Sequence, residues 1–406
     1  TQQVAYDSQL RDRRMRTHGA VAAALEDAYR DRIDEHAVFV ADHWARAGER
    51  LQAADWYRRA RGRLWLINHK EAHRCVHEIL SLFEDTTGLE PRDARRAAKA
   101  VIEACSGALF LGWSLGISRE EADALLERAL DAAGEEGVDS PLSDPERAKL
   151  LTEVHMAYGH AALHWDTRAS IRHSREGDAL AQRSGDELVR LEACRLLVSV
   201  LRACGRYREA WERAEPEIAN PPSDALMGAT GRGVTPFPGL VRQGAMALAH
   251  VGQPREALRL LEYAASLFRT DGRTVALEDM KSREEDAGHH AVGEDFHQPL
   301  GFAVDCYYFL GDAERAWKCA QMNWEEDRRS GAQLNFIRGR EKLGTALRMR
   351  GEWTELRRVG AEAAELPKTF RSPHNEQRIH AFIALARAHL GDRDGAIKQA
   401  MEVLAI

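Results

Sequence analysis

The sequence predicts an all-α chain folded as a right-handed superhelical array of helical hairpins. Composition and an internal repeat carry that expectation. Among 406 residues there are 64 Ala and 42 Leu against 31 Val and Ile together, so strong helix formers far outnumber strand formers. The repeat has a Gly, a small residue five positions on, and small or apolar residues nine and twelve positions on. It reads Gly48/Ala53/Tyr57/Ala60, Gly252/Ala257/Leu261/Ala264 and Gly391/Ala396/Ala400/Val403. Looser copies start at Gly205 (Ala210, Ala214), Gly311 (Ala316, Ala320) and Gly351 (Leu356, Ala363).

Each part of the unit has a physical reason. The Gly ends one helix in a left-handed conformation, and the small residue after it lets the next helix pack closely on the first. Ahead of the Gly, the first helix carries a stripe at i, i+3, i+4 and i+7: Cys194, Leu197, Val198 and Leu201 before Gly205, and Val241, Ala245 and Leu248 before Gly252. One hairpin cannot bury such a face alone, so neighbours must stack, about eight hairpins in all.

Along the chain, residues 1–34 form a helical lead-in and 35–219 a first array. A Pro/Gly-rich connection over 220–239 follows, with Pro221, Pro222, Pro236 and Pro238 breaking helix. A second array over 240–406 carries a charged insertion at 270–298. The insertion explains why Gly252 and Gly311 lie 59 residues apart while Gly311, Gly351 and Gly391 are spaced by 40. The 40-residue spacing exceeds the 34 of a standard tetratricopeptide repeat. In one unit Trp165 stands where the turn Gly is expected, and we expect it to pack on a neighbouring turn.

Charge and cysteine usage exclude several classes. The net charge of −7 provides no global basic field, so nucleic-acid binding is not expected. No apolar run approaches the ~18 residues of a membrane span. Mean hydropathy is −0.47. Cys75, Cys105, Cys194, Cys204, Cys306 and Cys319 form no C-x-x-C, which argues against a disulfide framework or a thiolate zinc site and fits a reducing cytoplasm. The sequence opens at Thr1 with no targeting segment, as expected of a piece of a longer protein.

The run Thr1-Gln2-Gln3-Val4-Ala5-Tyr6-Asp7-Ser8, then Arg13-Arg14 and His18, resembles the end of the winged-helix segment behind the ATPase of certain bacterial signalling proteins. These join a class III adenylate/guanylate cyclase domain, an AAA or STAND ATPase and a tetratricopeptide (TPR-like) array. Asp42-His43-Trp44-Ala45-Arg46-Ala47-Gly48 with Ala53-Ala54-Asp55-Trp56-Tyr57-Arg58-Arg59-Ala60 is similar to that family's first repeat, and Asn68-His69-Lys70-Glu71-Ala72 to its next helix start. The likeness covers about the first fifth of the chain. It implies a regulatory region whose partner is an upstream ATPase domain of the same polypeptide. No G-x-x-x-x-G-K-[ST] occurs, and the Gly-rich run over 228–235 lacks its Lys and a preceding strand.

Two further patterns could carry chemistry. Gly112-Trp113-Ser114-Leu115-Gly116 matches the G-x-S-x-G of hydrolases, but no alternation of β and α surrounds it. We read it as a turn before a helix capped by Ser118, with Glu121 completing the capping box. His69, His73 and His77 recur every four residues, a spacing that could present two imidazoles to one ion. With 17 His in the chain, coincidental pairs such as His160/His164 and the cluster His289, His290, His297 with Glu294 and Asp295 are expected. No metal and no cofactor is therefore assigned. Trp44, Trp56, Trp211 and Trp317 fall at seam positions and read as core.

The first helix of each hairpin should line a concave groove. Counting from the turn glycines gives Glu192, Arg195, Ser199 and Arg202, then Arg242 and Met246, then Asp305 and Tyr308, then Arg338, Glu341 and Arg348. Five arginines on this path of an acidic chain suit a peptide, a protein partner or an anionic small ligand, while a solvated face of internal Arg/Glu pairs is the plainer reading. The expected function is a non-catalytic sensor in which an occupied groove biases the attached ATPase. The alternatives are a stand-alone adaptor, the sensor of a LuxR-type transcription activator, and a metal-dependent enzyme built on His69, His73 and His77.

Overall fold

The computed structural model describes residues 11–135, 140–222, 236–267, Leu277, 298–330, 333–365 and 373–405. Among these there are eighteen α-helices and no strand, the all-α architecture of a TPR-like α-solenoid. The chain forms two compact units, Thr1–Ala193 and Cys194–Ile406.

The first unit holds α1 (Arg11–Ala28), α2 (Ile33–Ala47), α3 (Arg50–Ile67), α4 (His69–Leu82), α5 (Pro91–Leu115), α6 (Arg119–Ala133), α7 (Asp144–Ala162), α8 (Thr167–Ser184) and the start of α9 (Glu187–Ala203). The second holds the rest of α9, α10 (Tyr207–Ala219), α11 (Pro236–His250), α12 (Pro254–Ser266), α13 (Gln298–Leu310), α14 (Ala313–Ser330), α15 (Gln333–Arg350), α16 (Trp353–Ala364), α17 (Pro373–His389) and α18 (Arg393–Ala405). Each unit has its own apolar core. In the first, Tyr57, Ile102, Leu109 and Leu111 are buried, and in the second Leu261, Val304, Leu347 and Leu356.

The repeated Gly has one geometry throughout. Gly48, Gly205, Gly252, Gly311, Gly351 and Gly391 all have φ between 70° and 96°. At each, the Gly N–H donates to the carbonyl three residues back and the following N–H to the carbonyl five back, as in Gly252 to Ala249 and Gln253 to Leu248. That pairing satisfies the last carbonyls of the helix. The residue five positions on is buried at all six turns: Ala at five of them, as at Ala53 and Ala257, and Leu356 after Gly351.

The phase of the first copy differs from the sequence reading. α3 follows Gly48 as a second helix should, yet it contacts α5, and α5 contacts α7, as the first helices α11, α13, α15 and α17 contact one another. α3 therefore belongs to the row of first helices. The Gly-turn signature marks a tight helix-to-helix corner and does not specify which corner of the repeat it is.

Trp165 needs no left-handed residue. Its turn is closed by Asp166, whose carboxylate accepts from the N–H groups of Arg168 (3.0 Å) and Ala169 (2.9 Å) at the start of α8. The ring packs, partly buried, on the first unit's core. Trp44 and Trp56 also pack there, and both indole N–H groups donate to Glu26, at 2.6 and 2.9 Å. Trp211 and Trp317 pack on the second core.

The expectation that residues 236–239 cannot be helical is corrected. Pro236, Phe237, Pro238 and Gly239 form the first turn of α11, where N–H groups have no intrahelical partner and Pro costs nothing. Most of the proline-rich connection, the Gly-rich run and the insertion with His289, His290, His297, Glu294 and Asp295 lie outside the described residues. Ser114 lies inside α5, which ends at Gly116 with φ 90°, so G-x-S-x-G here is a helix terminus. Ser118 caps α6 by accepting from the Glu121 N–H at 3.1 Å.

α7 and α8 pack through small residues. Ser170 Oγ donates to the Gly159 carbonyl at 2.5 Å. On the same pair of helices His155 and His173 bring their Nδ1 atoms to 3.0 Å. Burial holds both imidazoles down to about 4, helped at His173 by His155 and Arg172. As pH falls from the ordinary 6.5, the unfolded chain takes up protons that the folded chain refuses until about 4, so stability drops across that window. Thermal midpoints at pH 7, 5.5 and 4.5 check this expectation: wild type should fall more steeply than His155→Gln, and parallel slopes would refute it.

Candidate ligand-binding face of the second unit

The second unit buries charged as well as neutral polar side chains. Arg242, Gln243, Asn323, Asp327, Glu341, Lys342 and Thr345 are all less than a tenth exposed. Buried polar groups persist only when they are paired with one another or with something bound. Most of these sit on first helices, and α11, α13, α15 and α17 adjoin in sequence order.

Phe302 on α13 is the focus. The Arg202 guanidinium from α9 lies 5.9 Å from the ring centre, that of Arg242 from α11 6.0 Å, and the Lys342 ammonium from α15 5.9 Å. Three helices thus deliver cations to one ring, at the outer edge of cation–π distance. Arg202 Nε also donates to Gln243 Oε1 at 2.9 Å. Lys342 Nζ bonds Asp305 at 2.6 Å and lies 3.5 Å from Glu341. Glu341 in turn meets Arg378 of α17 at 2.5 Å. Next to Phe302 in the chain, Gly301 allows Asn323 and Lys342 to come close to the α13 backbone, and Asn323 donates to Asp327 at 2.8 Å.

The residues expected from sequence are only partly brought together. Arg202, Arg242, Asp305 and Glu341 belong to this cluster. Tyr308 and Arg348 make a second contact one turn on, the guanidinium 4.6 Å from the phenol ring and donating to its hydroxyl. Arg195 lies over Gly239, its Cδ and Cγ filling the space a Cβ would need. Met246 is core, buried in the unit's apolar interior, and Ser199 is half-buried. Glu192 is half-buried on α9 within the first unit's span, and the Arg338 side chain lies outside the described residues.

Phe302, Lys342, Gln243 and Arg378 were not expected. Gln243 and Lys342 each adjoin an expected residue, so the polar strip is wider than one helical position. Phe302 stands three residues before Asp305, on the same helix face.

Among the three spaced histidines, the structure brings two together. The Nε2 atoms of His73 and His77 on α4 lie 3.2 Å apart, and Glu121 of α6 joins them. His69 faces Trp65 instead, with ring centres 6.3 Å apart. His155, His173 and Glu176 form a second such group. His160 Nδ1 meets the Met156 carbonyl and His164 Nε2 the Trp113 carbonyl, both at 3.3 Å. All six cysteines are unbridged, and burial pushes the Cys75, Cys105 and Cys306 thiols up to about 12. Among the described residues no helix is long and apolar enough to cross a membrane.

No protein-family model matches the chain, and no curated protein matches it. Solved structures do. A Rap protein in complex with competence and sporulation factor is similar at a TM-score of 0.55 and 13% identity, over 95% of this chain and 98% of that one. The apo form of the quorum sensor NprR from B. thuringiensis is similar at 0.52 and 12%, over 97% of both chains. This likeness is one of fold: each is matched along nearly its whole length at low identity.

Proposed function

We propose that this chain is a non-catalytic sensor array that binds a short acidic peptide on the first helices of its second unit. The observation that carries the reading is the convergence of Arg202, Arg242 and Lys342 on Phe302 from three separate helices. An aromatic platform flanked by guanidinium forks suits a segment with an apolar side chain and a carboxylate. The fold adds support, since the similar Rap structure holds competence and sporulation factor and NprR is a quorum sensor. A peptide touching α9, α11, α13 and α15 together would favour one spacing of those helices over another, which is how binding becomes a signal.

The finer reading makes this array the sensor of a cyclase-linked AAA or STAND ATPase. Its support is the likeness carried by residues 1–83. Comparing regulated ATPase or cyclase activity of the full-length parent with that of a form truncated before Gln2 tests it, and equal regulated activity discards it.

Fluorescence anisotropy on a set of short labelled peptides tests the binding face. Acidic members with a free carboxylate should bind, and their amidated, neutral counterparts should not. Arg202→Ala and Arg242→Ala should each weaken binding by about thirtyfold, roughly 2 kcal/mol. Equal binding of neutral peptides, or affinities unmoved by both substitutions, would remove the proposal.

A further inference from the structure

The first unit carries a cluster that the peptide-binding reading does not use. α4 presents His73 and His77 one turn apart, with their Nε2 atoms 3.2 Å from each other. Two ligands held about 2.0–2.1 Å from a tetrahedral ion lie about 3.4 Å apart, so this pair needs only a few tenths of an ångström to chelate. The third group comes from a different helix: a Glu121 carboxylate oxygen on α6 and the two imidazole nitrogens all lie within 4.8 Å of one another. The Glu121 side chain is exposed and can turn inward, whereas the two imidazoles are half-buried.

The spacing between the two helices is set without any ion. Arg128, seven residues after Glu121 on the same face of α6, donates to the carbonyls of Leu80 (2.5 Å) and Phe83 (3.3 Å) at the end of α4. Ser118 fixes the other end by capping the turn that holds Glu121. Seven residues are about 10.5 Å of helix, matching the seven from His73 to Leu80 and close to the six from His77 to Phe83. The helices therefore run side by side in the same direction, clamped at one end by Arg128, with the His/His/Glu group one clamp-length away.

The nearby cation Arg74 is committed elsewhere, bonded to Glu71 at 2.7 Å and lying 3.4 Å from Glu78. The other candidate group is less suited. There the Arg172 guanidinium lies 3.3 Å from His173 Nε2, placing a positive charge on a ligand ring.

We propose that His73, His77 and Glu121 bind one divalent ion of the zinc class, tying α4 to α6. Both imidazoles turn their Nε2 lone pairs to the ion and keep their protons at Nδ1. Three protein ligands leave a fourth position to water.

The test uses the full chain, stripped with EDTA and titrated with Co2+, whose visible absorption reports tetrahedral coordination, followed by displacement with Zn2+. Wild type should take up one equivalent at this site and gain thermal stability with Zn2+. His77→Ala should weaken that uptake about a hundredfold, and Glu121→Gln, at an exposed position that leaves the fold intact, about tenfold. His69→Ala should bind like wild type. Uptake that is unchanged in both His77→Ala and Glu121→Gln overturns the proposal. So does an ion lost only with His173→Ala, which would place it at the other cluster, and so does a wild type that takes up none.

Discussion

Replacing Glu341 by Ala should cost about 3 kcal/mol of stability, the lower end of the range for breaking a buried ion pair. Glu341 is among the least exposed carboxylates of the second unit, at 6%. It faces Arg378 at 2.5 Å and Lys342 at 3.5 Å. Removing it strips Lys342, whose side chain is 11% exposed, of one of two carboxylates and leaves Asp305 alone to hold it. Arg378 is 37% exposed and recovers part of its solvation, which is why the lower end applies. Urea denaturation measures the loss, and Glu341→Gln, which keeps an acceptor, should lose less. A cost below ~1 kcal/mol would mean that this pair is worth no more than a surface bridge.

Gly159→Val should be about as damaging, for a different reason: no charge is left unpaired, but there is no room. A Cβ at Gly159 would meet Ser174 Oγ, and lies 3.0 Å from the Ser170 carbonyl. That carbonyl is backbone and cannot rotate away. Ala would recover up to about 1 kcal/mol in helix propensity, which offsets part of the crowding. Val adds two further carbons and recovers less, so about 3 kcal/mol of overpacking is expected. The hydrogen bond from Ser170 Oγ to the Gly159 carbonyl would break as the helices part. Thermal unfolding of Gly159→Val against Gly62→Val, where a Cβ meets nothing within 4 Å, separates packing from propensity. Equal losses at both positions would show that the α7/α8 contact is not what Gly159 serves.

The helices and turns were legible in the sequence because both depend on near neighbours. Gly at a left-handed corner and a small residue five positions later are local requirements; all six turns share the glycine geometry, and five of them carry Ala at the second position. The row to which a helix belongs is not local. Gly48 has the full signature, yet α3 joins the first helices because of its contact with α5, which no spacing encodes.

The candidate face divides along the same line. Arg202, Arg242, Asp305 and Glu341 were reached by counting from glycines. Phe302, on which three cations converge, looked like any apolar helix residue until α9, α11 and α15 surrounded it. In the sequence Glu121 marks only a helix cap. Its distance from His73 and His77 is set by Arg128 reaching α4, a tertiary contact.

Among the described residues, every extensive helix contact joins neighbours one or two places apart in the chain. Closing such contacts costs little chain entropy, so the protein should assemble quickly from many starting points. The same economy loosens its cooperativity. Hydrogen exchange should slow by steps toward the middle of each unit, and under the proposed function a segment gripped by a peptide would stiffen while its neighbours continue to open.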